Sequence, residues 1–572
     1  MTNGDSGART ASSQLQQLLA DEWEVRMQDD PLFATRCGDH RFDDRLPAVS
    51  EDDFQRRLAQ ARVFLDRLQE IDRSALTPSA QLNYDMFEHE MRDRIAEYEF
   101  GAYLMPMTKA SGLHRSFPDL LNIAPLDTLE DYENYVARLA AFQAFAQAHI
   151  ELMRAGIRRG YVPPRVVLEG IEDSIQAHVV QDPTESVLFK PFEQLPESIT
   201  ETDQRDIIQA GRAAIVNSVV PGYQALLQFM LDEYIPAGRE DIAASSLPDG
   251  RAFYEHRVRK NTTLDLTPQQ VHDIGLEEVR RIRDEMDDVI RRVDFQGGFR
   301  EFVHFLRTDE RFYVDTPEAL MKEVALIMKK MDGQLPRLFK KLPRTPYGLR
   351  QIPDHIAPKT TSAYYFPAAG DGTKVGFYYV NTYDLKSRPL YEYEALSLHE
   401  AVPGHHLQLA LQMELDLPDF RRFGGITAFI EGWALYAERL GLEAGFYQDP
   451  YSDFGRLTFE MWRACRLVVD TGMHYLGWTR QQAIDFMVEN TALSLLNITN
   501  EVDRYISWPG QALAYKIGEI KIRELRTLAE HALGPRFDVR EFHRIILENG
   551  GIPLDVLEAN VKRWMAEQAD VS

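Results

Sequence analysis

The sequence predicts a mainly α-helical protein with one small β-hairpin. Apolar residues recur every three or four positions over several long stretches, as they do on the buried face of a helix. Examples are 54–71, 81–98 and 132–157. Two aromatic, β-rich runs, 363–367 and 375–381, flank a Gly-Asp-Gly sequence at 370–372, which is the pattern of two paired strands joined by a turn.

The elements fall into an N-terminal and a C-terminal region. Residues 1–13 are small and polar, and we expect them to form a disordered tail. Helical periodicity dominates the following region, 14–260. The sequence Thr-Pro-Gln-Gln at 267–270 has the residues of a capping box, with proline at the first helical position, so a long helix through Arg292 is predicted to begin there. The second region is therefore placed at 261–572, and the two regions are expected to form one continuous scaffold.

The composition is that of an ordinary globular protein, with 44% hydrophobic and 27% charged residues in a chain of 572. The net charge of −25 argues against nucleic acid or an anionic membrane surface as the main partner. Cys37 and Cys465 are the only cysteines, too few for a disulfide framework. The N-terminus lacks the pattern of a secretory signal, and no run of about 18 apolar residues occurs. We therefore expect a cytoplasmic protein.

The chemistry is concentrated at His399, Glu400, His405 and His406, three histidines and a glutamate within eight positions. Catalytic zinc requires neutral imidazole ligands, a carboxylate that takes a proton from the metal-bound water, and an open coordination position. The segment therefore predicts a zinc site in which Glu400 activates the zinc-bound water.

The spacing of the histidines departs from the usual helical motif, in which two histidines lie four positions apart. His399 and His405 are six positions apart, about 240° around a regular helix, whereas His406 is about 20° from alignment but roughly 10 Å along the axis. Pro403 lacks an amide hydrogen and crowds the carbonyl of residue 399, so a bulge or kink is expected between the histidines. Treating the two extra residues as a bulge favours His405 as the ligand, while His406 remains the alternative.

The motif His-Glu-x-x-Pro-Gly-His-His-x-Gln at 399–408 resembles the signature of the DUF885 family, a bacterial group placed among the zincin-like metallopeptidases. The similarity covers about residues 15–565 and includes four further stretches. These are 272–281, 431–438, 470–474 and 509–518. The resemblance implies a helical cleft enzyme of the zincin kind, with the hairpin or a small sheet beside the active-site helix. It does not fix the substrate.

Glu431 lies 26 residues after His405 (431 minus 405). This is similar to the spacing at which helical gluzincins, such as the oligopeptidases and angiotensin-converting enzyme, supply a third ligand from a second helix. The resemblance therefore implies the ligand set His399, His405 and Glu431. Small residues after Glu431 would let its helix approach the first helix closely, and Glu438, two turns along, is expected to orient a ligand histidine.

Arg463, Arg466, Asp470 and His474 recur at helical spacing as a polar stripe on an apolar helix. We expect the first three to form buried Arg-Asp ion pairs between helices. His474 is a candidate donor to a transition-state oxyanion.

Related zinc peptidases use a tyrosine or histidine from a late segment to polarise the scissile carbonyl. Tyr505 and Tyr515 flank the Pro-Gly sequence at 509–510, and we choose Tyr515 for this role. The alternative for each is a packed tyrosine.

Together these features predict a zinc-dependent hydrolase that cleaves amide bonds of peptides. A metallohydrolase for one small amide or conjugate, in a biosynthetic or detoxifying pathway, would share all the catalytic residues. A non-catalytic zinc scaffold is the second alternative, but such a site has no need of Glu400. If the hairpin around 375–381 borders the cleft, the edge of the hairpin could pair with an extended peptide.

Overall fold

The computed structural model describes residues 3–354, 357–368 and 375–570. The chain divides into two compact units, Met1–Phe253 and Tyr254–Ser572. The division falls within a helix, a few residues before position 261, where the sequence places the boundary between the two regions.

The first unit is built from helices. These are α1 Asn3–Asp29, α2 Pro31–Cys37, α3 Glu51–Gln69, α4 Pro78–Glu99, α5 Leu113–Ser116, α6 Leu120–Ile123, α7 Leu129–Arg159, α8 Ile171–Gln176, α9 Glu201–Ala214, α10 Val220–Phe229 and α11 Ile235–Ala237. Thr128 and Asp131 form a capping box at the start of α7, which ends at Gly160 in the left-handed conformation. Phe142 and Met153 of α7 are fully buried in the core of this unit.

The N-terminal segment differs from the expectation of a disordered tail over 1–13, because α1 is helical from Asn3. Ala11, Leu15 and Leu18 are buried on one face of α1 at helical spacing. Burial of this apolar stripe stabilises the helix, and the small polar residues before it continue the same helix.

The segment Glu201–Ala237 is one continuous helical run, in which two π-helical stretches, Ile215–Val219 and Met230–Tyr234, join α9, α10 and α11. By length and composition alone it could cross a membrane, with a mean hydropathy of 1.2 in its most apolar window. Half of that window is buried inside the protein. Core helices of globular proteins have the same properties.

Helix α12, Gly250–Thr262, contains the division between the two units, and the second unit continues after it. Its helices are α13 Pro268–Arg292, α14 Phe299–Thr308, α15 Pro317–Asp332, α16 Leu335–Leu338, α17 Tyr393–Glu400, α18 His405–Met413, α19 Asp419–Arg422, α20 Thr427–Ala444, α21 Pro450–His474, α22 Arg480–Asn490, α23 Leu495–Ser507, α24 Ala514–Leu533, α25 Val539–Leu547 and α26 Leu554–Asp570. The predicted capping box of Thr267 and Gln270 begins α13. Helix α13 packs along α21, which is buried over most of its length.

Helices α20 and α24 cross at two glycines. A Cβ atom on Gly432 would lie 2.5 Å from the backbone of Gly518, so only glycine permits this approach. The sequence predicts that the small residues after Glu431 face the helix that carries the histidines, but Gly432 faces α24. The crossing therefore brings Glu431 of α20 near Tyr515 in the first turn of α24.

A small sheet of three strands has the order β1-β3-β2, where β1 is Tyr347–Gln351, β2 is Ala363–Phe366 and β3 is Gly376–Val380. Strands β2 and β3 pair antiparallel, with Ala363 opposite Val380, as the hairpin pattern predicts. The expected turn at 370–372 lies outside the described residues. Strand β1, which the sequence analysis missed, pairs parallel with β3. Strand β3 is central and β2 is the outer strand of the hairpin, so the hairpin edge that could pair with an extended peptide belongs to β2, and this pairing stays a prediction.

Candidate metal centre

A tight loop returns the chain so that the second histidine faces the first. Helix α17 ends at Glu400, and α18 begins at His405 after a loop that contains a cis Val402–Pro403 peptide bond. A Cβ atom on Gly404 would overlap the carbonyl oxygens of residues 398 and 399, so this close return requires glycine. The break expected between the histidines is confirmed, and it is a full interruption of the helix.

The loop is held from both sides. The amide of His406 donates to the carbonyl of Ala401 at 3.0 Å. The indole Nε1 of Trp433, on α20, donates to the carbonyl of Pro403 at 2.9 Å. These two bonds fix α18 relative to α17 and α20.

Three donor atoms converge where α17, α18 and α20 meet. Nε2 of His399 lies 3.7 Å from Oε2 of Glu431, and Nε2 of His405 lies 3.5 Å from the same oxygen. The ligand atoms of these three residues all lie within 4.8 Å of one another. The structure thus brings together the three residues that the sequence analysis chose as metal ligands.

The electrostatics of the three groups are strongly coupled. Burial lowers the pKa of His399, but Glu431 and Glu438 more than offset this effect and raise it to about 9. Burial alone would raise the pKa of Glu431, but the nearby rings of His399 and His405 hold it well below its usual value. A bound cation would balance the charge of Glu431, and it requires neutral imidazole ligands, so its binding competes with protons.

The donor set fits a zinc ion. Two imidazole nitrogens and one carboxylate oxygen form a typical catalytic zinc set. Among the described residues, the buried Oε2 of Glu431 and Nδ1 of His405 have no hydrogen-bond partner. A buried carboxylate oxygen without a partner is costly, and a metal ion at the convergence point would satisfy it.

Glu438 lies behind His399, as the sequence analysis expected. Its Oε1 is 2.7 Å from Nδ1 of His399 and 3.5 Å from Nη2 of Arg463. A carboxylate at Nδ1 fixes the tautomer that leaves Nε2 free to bind a metal.

His406 lies away from the converging donors. Its Nδ1 is 2.8 Å from the hydroxyl of Tyr365 on β2, and its ring lies 4.6 Å from that of Tyr347 on β1. Burial lowers its pKa to about 4. His406 therefore attaches α18 to the sheet.

Glu400, the candidate general base, lies at the C-terminal end of α17 next to His399. Its side chain is buried, and its carboxylate makes no hydrogen bond or ion pair within the part of the chain that the structure describes. It is therefore available to exchange a proton.

The two candidate tyrosines have different environments. Tyr515 is half-buried and interacts electrostatically with Glu431, Arg466 and Arg504. Tyr505 is buried, and its hydroxyl donates to Glu501 at 2.8 Å. The Tyr505 hydroxyl also accepts from two further donors at 3.0 Å, which occupies it fully. These are Nε1 of Trp462 and Nε of Arg466.

The structure does not place His474 with the converging donors. It is fully buried at the end of α21, and its Nε2 lies 3.0 Å from the carbonyl oxygen of Tyr505. A ring nitrogen engaged by a main-chain carbonyl is a core contact, so the expected oxyanion role finds no support in the placement of His474.

The polar stripe on α21 is buried, but its ion pairs differ from those expected. Arg463 approaches Glu438 on α20, and Arg466 pairs with Glu501 on α23 at 3.1 Å. Asp470 instead accepts hydrogen bonds from the hydroxyl of Tyr254 at 2.6 Å and the amide of Gly510 at 3.0 Å. The expected Arg-Asp pairing is therefore wrong.

A second group of acids, Glu278, Glu460 and Glu519, also lies close together. The ammonium group of Lys516 lies 2.9 Å from the first two and 2.8 Å from the third, and its side chain is fully buried. Lys516, Arg281 and Arg523 together balance these three carboxylates, so this group is a structural charge cluster.

The comparisons with known proteins agree with this fold. The family model for "Bacterial protein of unknown function (DUF885)" matches residues 31–561. A candidate lipoprotein from Colwellia psychrerythraea is 28% identical with a TM-score of 0.91, over 98% of this chain and 99% of that one. A candidate lipoprotein of unknown function from Shewanella oneidensis is 18% identical with a TM-score of 0.71, over 95% of this chain and 99% of that one. No curated protein matches. The chain therefore belongs to the DUF885 family of bacterial proteins.

Proposed function

We propose that this protein is a zinc-dependent hydrolase that cleaves amide bonds, with peptides as its substrates. The observation that carries the proposal is the convergence of His399, His405 and Glu431 on one point, beside a carboxylate, Glu400, that has no partner among the described residues. When bound, a zinc ion supplies Lewis acidity that polarises a carbonyl and lowers the pKa of water.

The donor set supports a catalytic site over a structural one. Structural zinc is closed by four protein ligands, whereas catalytic zinc has three and keeps one position open. In the described ranges only three such side chains converge here, and those of His405 and Glu431 remain 12% and 18% exposed.

Glu400 acts as the general base and then as the general acid. Its carboxylate takes a proton from the attacking water and delivers it to the nitrogen of the leaving amine. The adjacent His399 fixes the end of α17 at the site, and no other described group holds the carboxylate.

Tyr515 stabilises the carbonyl oxygen as negative charge develops on it. Its hydroxyl carries a proton that it can donate to this oxygen. Donors aimed at a developing oxyanion are among the largest contributions to catalysis. Its electrostatic interaction with Glu431 places the phenol beside the proposed ligand.

The substitution Glu400→Gln tests the proposal. It should keep zinc, because Glu400 is not a ligand, and lower peptide hydrolysis by about 10²- to 10⁴-fold, because an amide cannot accept the proton. Glu394→Gln is the matched control on the same helix. Unlike Glu400, Glu394 has a partner, because its carboxylate accepts a hydrogen bond from the amide of Tyr447 at 2.7 Å. Near-normal turnover of Glu400→Gln would assign the base elsewhere.

A further inference from the structure

Three arginines have their guanidinium groups close to Tyr515, and we call them the arginine wall: Arg463, Arg466 and Arg504. The guanidinium of Arg466 lies 4.4 Å from the centre of the Tyr515 ring. Arg504 interacts electrostatically with Tyr515, and Arg463 interacts electrostatically with both Tyr515 and Glu431. The wall therefore borders the proposed catalytic groups.

The wall carries more positive charge than its partners balance. Among the described residues, two carboxylates lie within ion-pair distance of the three guanidinium groups. Glu501 is shared, at 3.1 Å from both Arg466 and Arg504. Glu438 is 3.5 Å from Arg463 but only 2.7 Å from the His399 ring that it orients. One arginine is thus left without a carboxylate of its own.

Several guanidinium nitrogens have no hydrogen-bond partner among the described residues. They are Nε of Arg463, Nη1 of Arg466 and Nε of Arg504. The side chains of Arg463 and Arg466 are only 6% and 4% exposed. Burial lowers the pKa of Arg463, because Glu438 does not fully compensate it. Buried cations normally have a full set of partners, so a missing anion would account for this group.

We infer that the arginine wall binds a carboxylate of the substrate, and that the substrates are peptides or acyl amino acids whose free C-terminal carboxylate lies close to the cleaved amide bond. The inference rests on the proposed function. Guanidinium groups bind carboxylates strongly through charge-assisted hydrogen bonds, and within the wall Arg466 and Arg504 each donate one such bond to Oε2 of Glu501. The ring centre of Tyr515 lies 4.4 Å from the Arg466 guanidinium, and Tyr515 interacts electrostatically with Glu431, so a carboxylate bound by the wall would lie near the scissile bond.

The alternative is that the three arginines only hold Tyr515 and Glu501 in place. In that case they would affect the cleavage of every substrate alike. The two possibilities differ in whether the protein distinguishes a free C-terminal carboxylate from an uncharged end.

The test uses pairs of N-acetylated alanine peptides that differ only in ending as a free acid or as an amide. With the zinc-loaded full chain, kcat/KM should be about 10-fold or more higher for the acid. Mass spectrometry should find the cut at one of the last bonds before the carboxylate. Equal kcat/KM for acid and amide would overturn the inference.

Substitutions of the wall arginines test whether the preference for the free acid depends on them. Arg504→Gln and Arg463→Gln should bring the acid-to-amide ratio towards one, mainly through a higher KM for the acid. Arg504 is 21% exposed, so its substitution is less disruptive to folding than that of Arg463. Arg283→Gln is the control for loss of a part-buried arginine outside the wall. Arg283 donates to the carbonyl of Glu489. This variant should keep the acid-to-amide ratio of the unmodified protein. An unchanged ratio in both wall variants would contradict the assignment.

Failure of the proposed function would be distinguishable. If neither peptide is cleaved, the hydrolase proposal fails, and calorimetric titration of both peptides into the zinc-loaded chain then tests the wall directly. Preferential binding of the acid that Arg504→Gln abolishes would support the carboxylate site. Equal binding, or no binding of either peptide, would overturn it.

Discussion

Single side-chain contacts distinguish the two neighbouring histidines of the metal centre. His405 points its Nε2 at Glu431, whereas Nδ1 of His406 is engaged by Tyr365. We predict that His405→Ala loses zinc, and that His406→Ala retains zinc with a change in turnover only. Elemental analysis of the two purified variants decides between them. Full zinc in His405→Ala would contradict the assignment.

The sequence alone left this choice open for a physical reason. Angles on a regular helix favour His406, but the chain between His399 and His405 is not helical, so those angles do not apply. The prediction of His405 allowed for a break at Pro403, so it agrees better with the observed positions of the two histidines. The roles of Glu431 and Glu438 were easier to predict, since both lie on one unbroken helix.

Asp470 gives a prediction on pH. Burial outweighs its bonds to Tyr254 and Gly510 and raises its pKa from 3.8 to about 7. The folded protein therefore keeps this proton up to about pH 7, while the unfolded chain releases it near pH 4. The stability contributed by the protonated carboxyl is present below pH 4 and is lost as the pH rises through 7.

Asp470→Asn should remove this pH dependence. Between pH 5 and pH 8 the free energy of unfolding of the unmodified protein should fall by about 2–4 kcal/mol more than that of the variant. Urea denaturation at several pH values measures the difference. Parallel pH profiles for the two proteins would show that Asp470 does not titrate in this range.

The partners of the arginine wall could not be read from the sequence. Arg466 lies on α21, and its partner Glu501 lies on α23, so the contact depends on how the two helices pack. The sequence predicts Arg-Asp ion pairs between helices, but it does not show which helices pack together. Asp470 instead accepts a hydrogen bond from the amide of Gly510, which lies between α23 and α24.

Among the elements, the loop between α17 and α18 has the strongest effect on the proposed site. Gly404→Ala should place a methyl group against the carbonyl oxygens of residues 398 and 399 and displace His405. We predict lowered zinc affinity together with lower thermal stability, measured by zinc titration and by thermal unfolding.

Gly333→Ala is the control for this substitution. Its added Cβ atom would meet its nearest neighbour, the carbonyl oxygen of Lys330, at 3.4 Å, an ordinary contact distance. It should therefore bind zinc as the unmodified protein does. Normal zinc affinity in Gly404→Ala would mean that the loop can relax without moving His405.

The sheet contains two strands that the sequence predicts and one that it does not. Strands β2 and β3 carry aromatic, β-rich runs, and both were predicted. Strand β1, with the sequence Tyr-Gly-Leu-Arg-Gln, has no clear alternation, and its pairing with β3 is parallel and distant in sequence. Its existence depends on tertiary packing that local propensity does not encode.

At the scale of the whole molecule, the proposed ligands, the base and Tyr515 all belong to the second unit, Tyr254–Ser572. The mainly helical class followed from periodicity over the whole chain, which is a strong local signal. The expected cytoplasmic location stays a prediction, and two structural relatives are described as candidate lipoproteins. Cell fractionation of the full-length natural protein would decide its location.

Hydrolysis of a peptide library with and without a chelator tests whether this protein is a zinc-dependent hydrolase. The zinc-loaded protein should cleave library members, lose this activity when zinc is removed, and regain it when zinc is restored at about one ion per chain. Absence of cleavage by the zinc-loaded protein, or cleavage that persists after zinc is removed, would contradict the account.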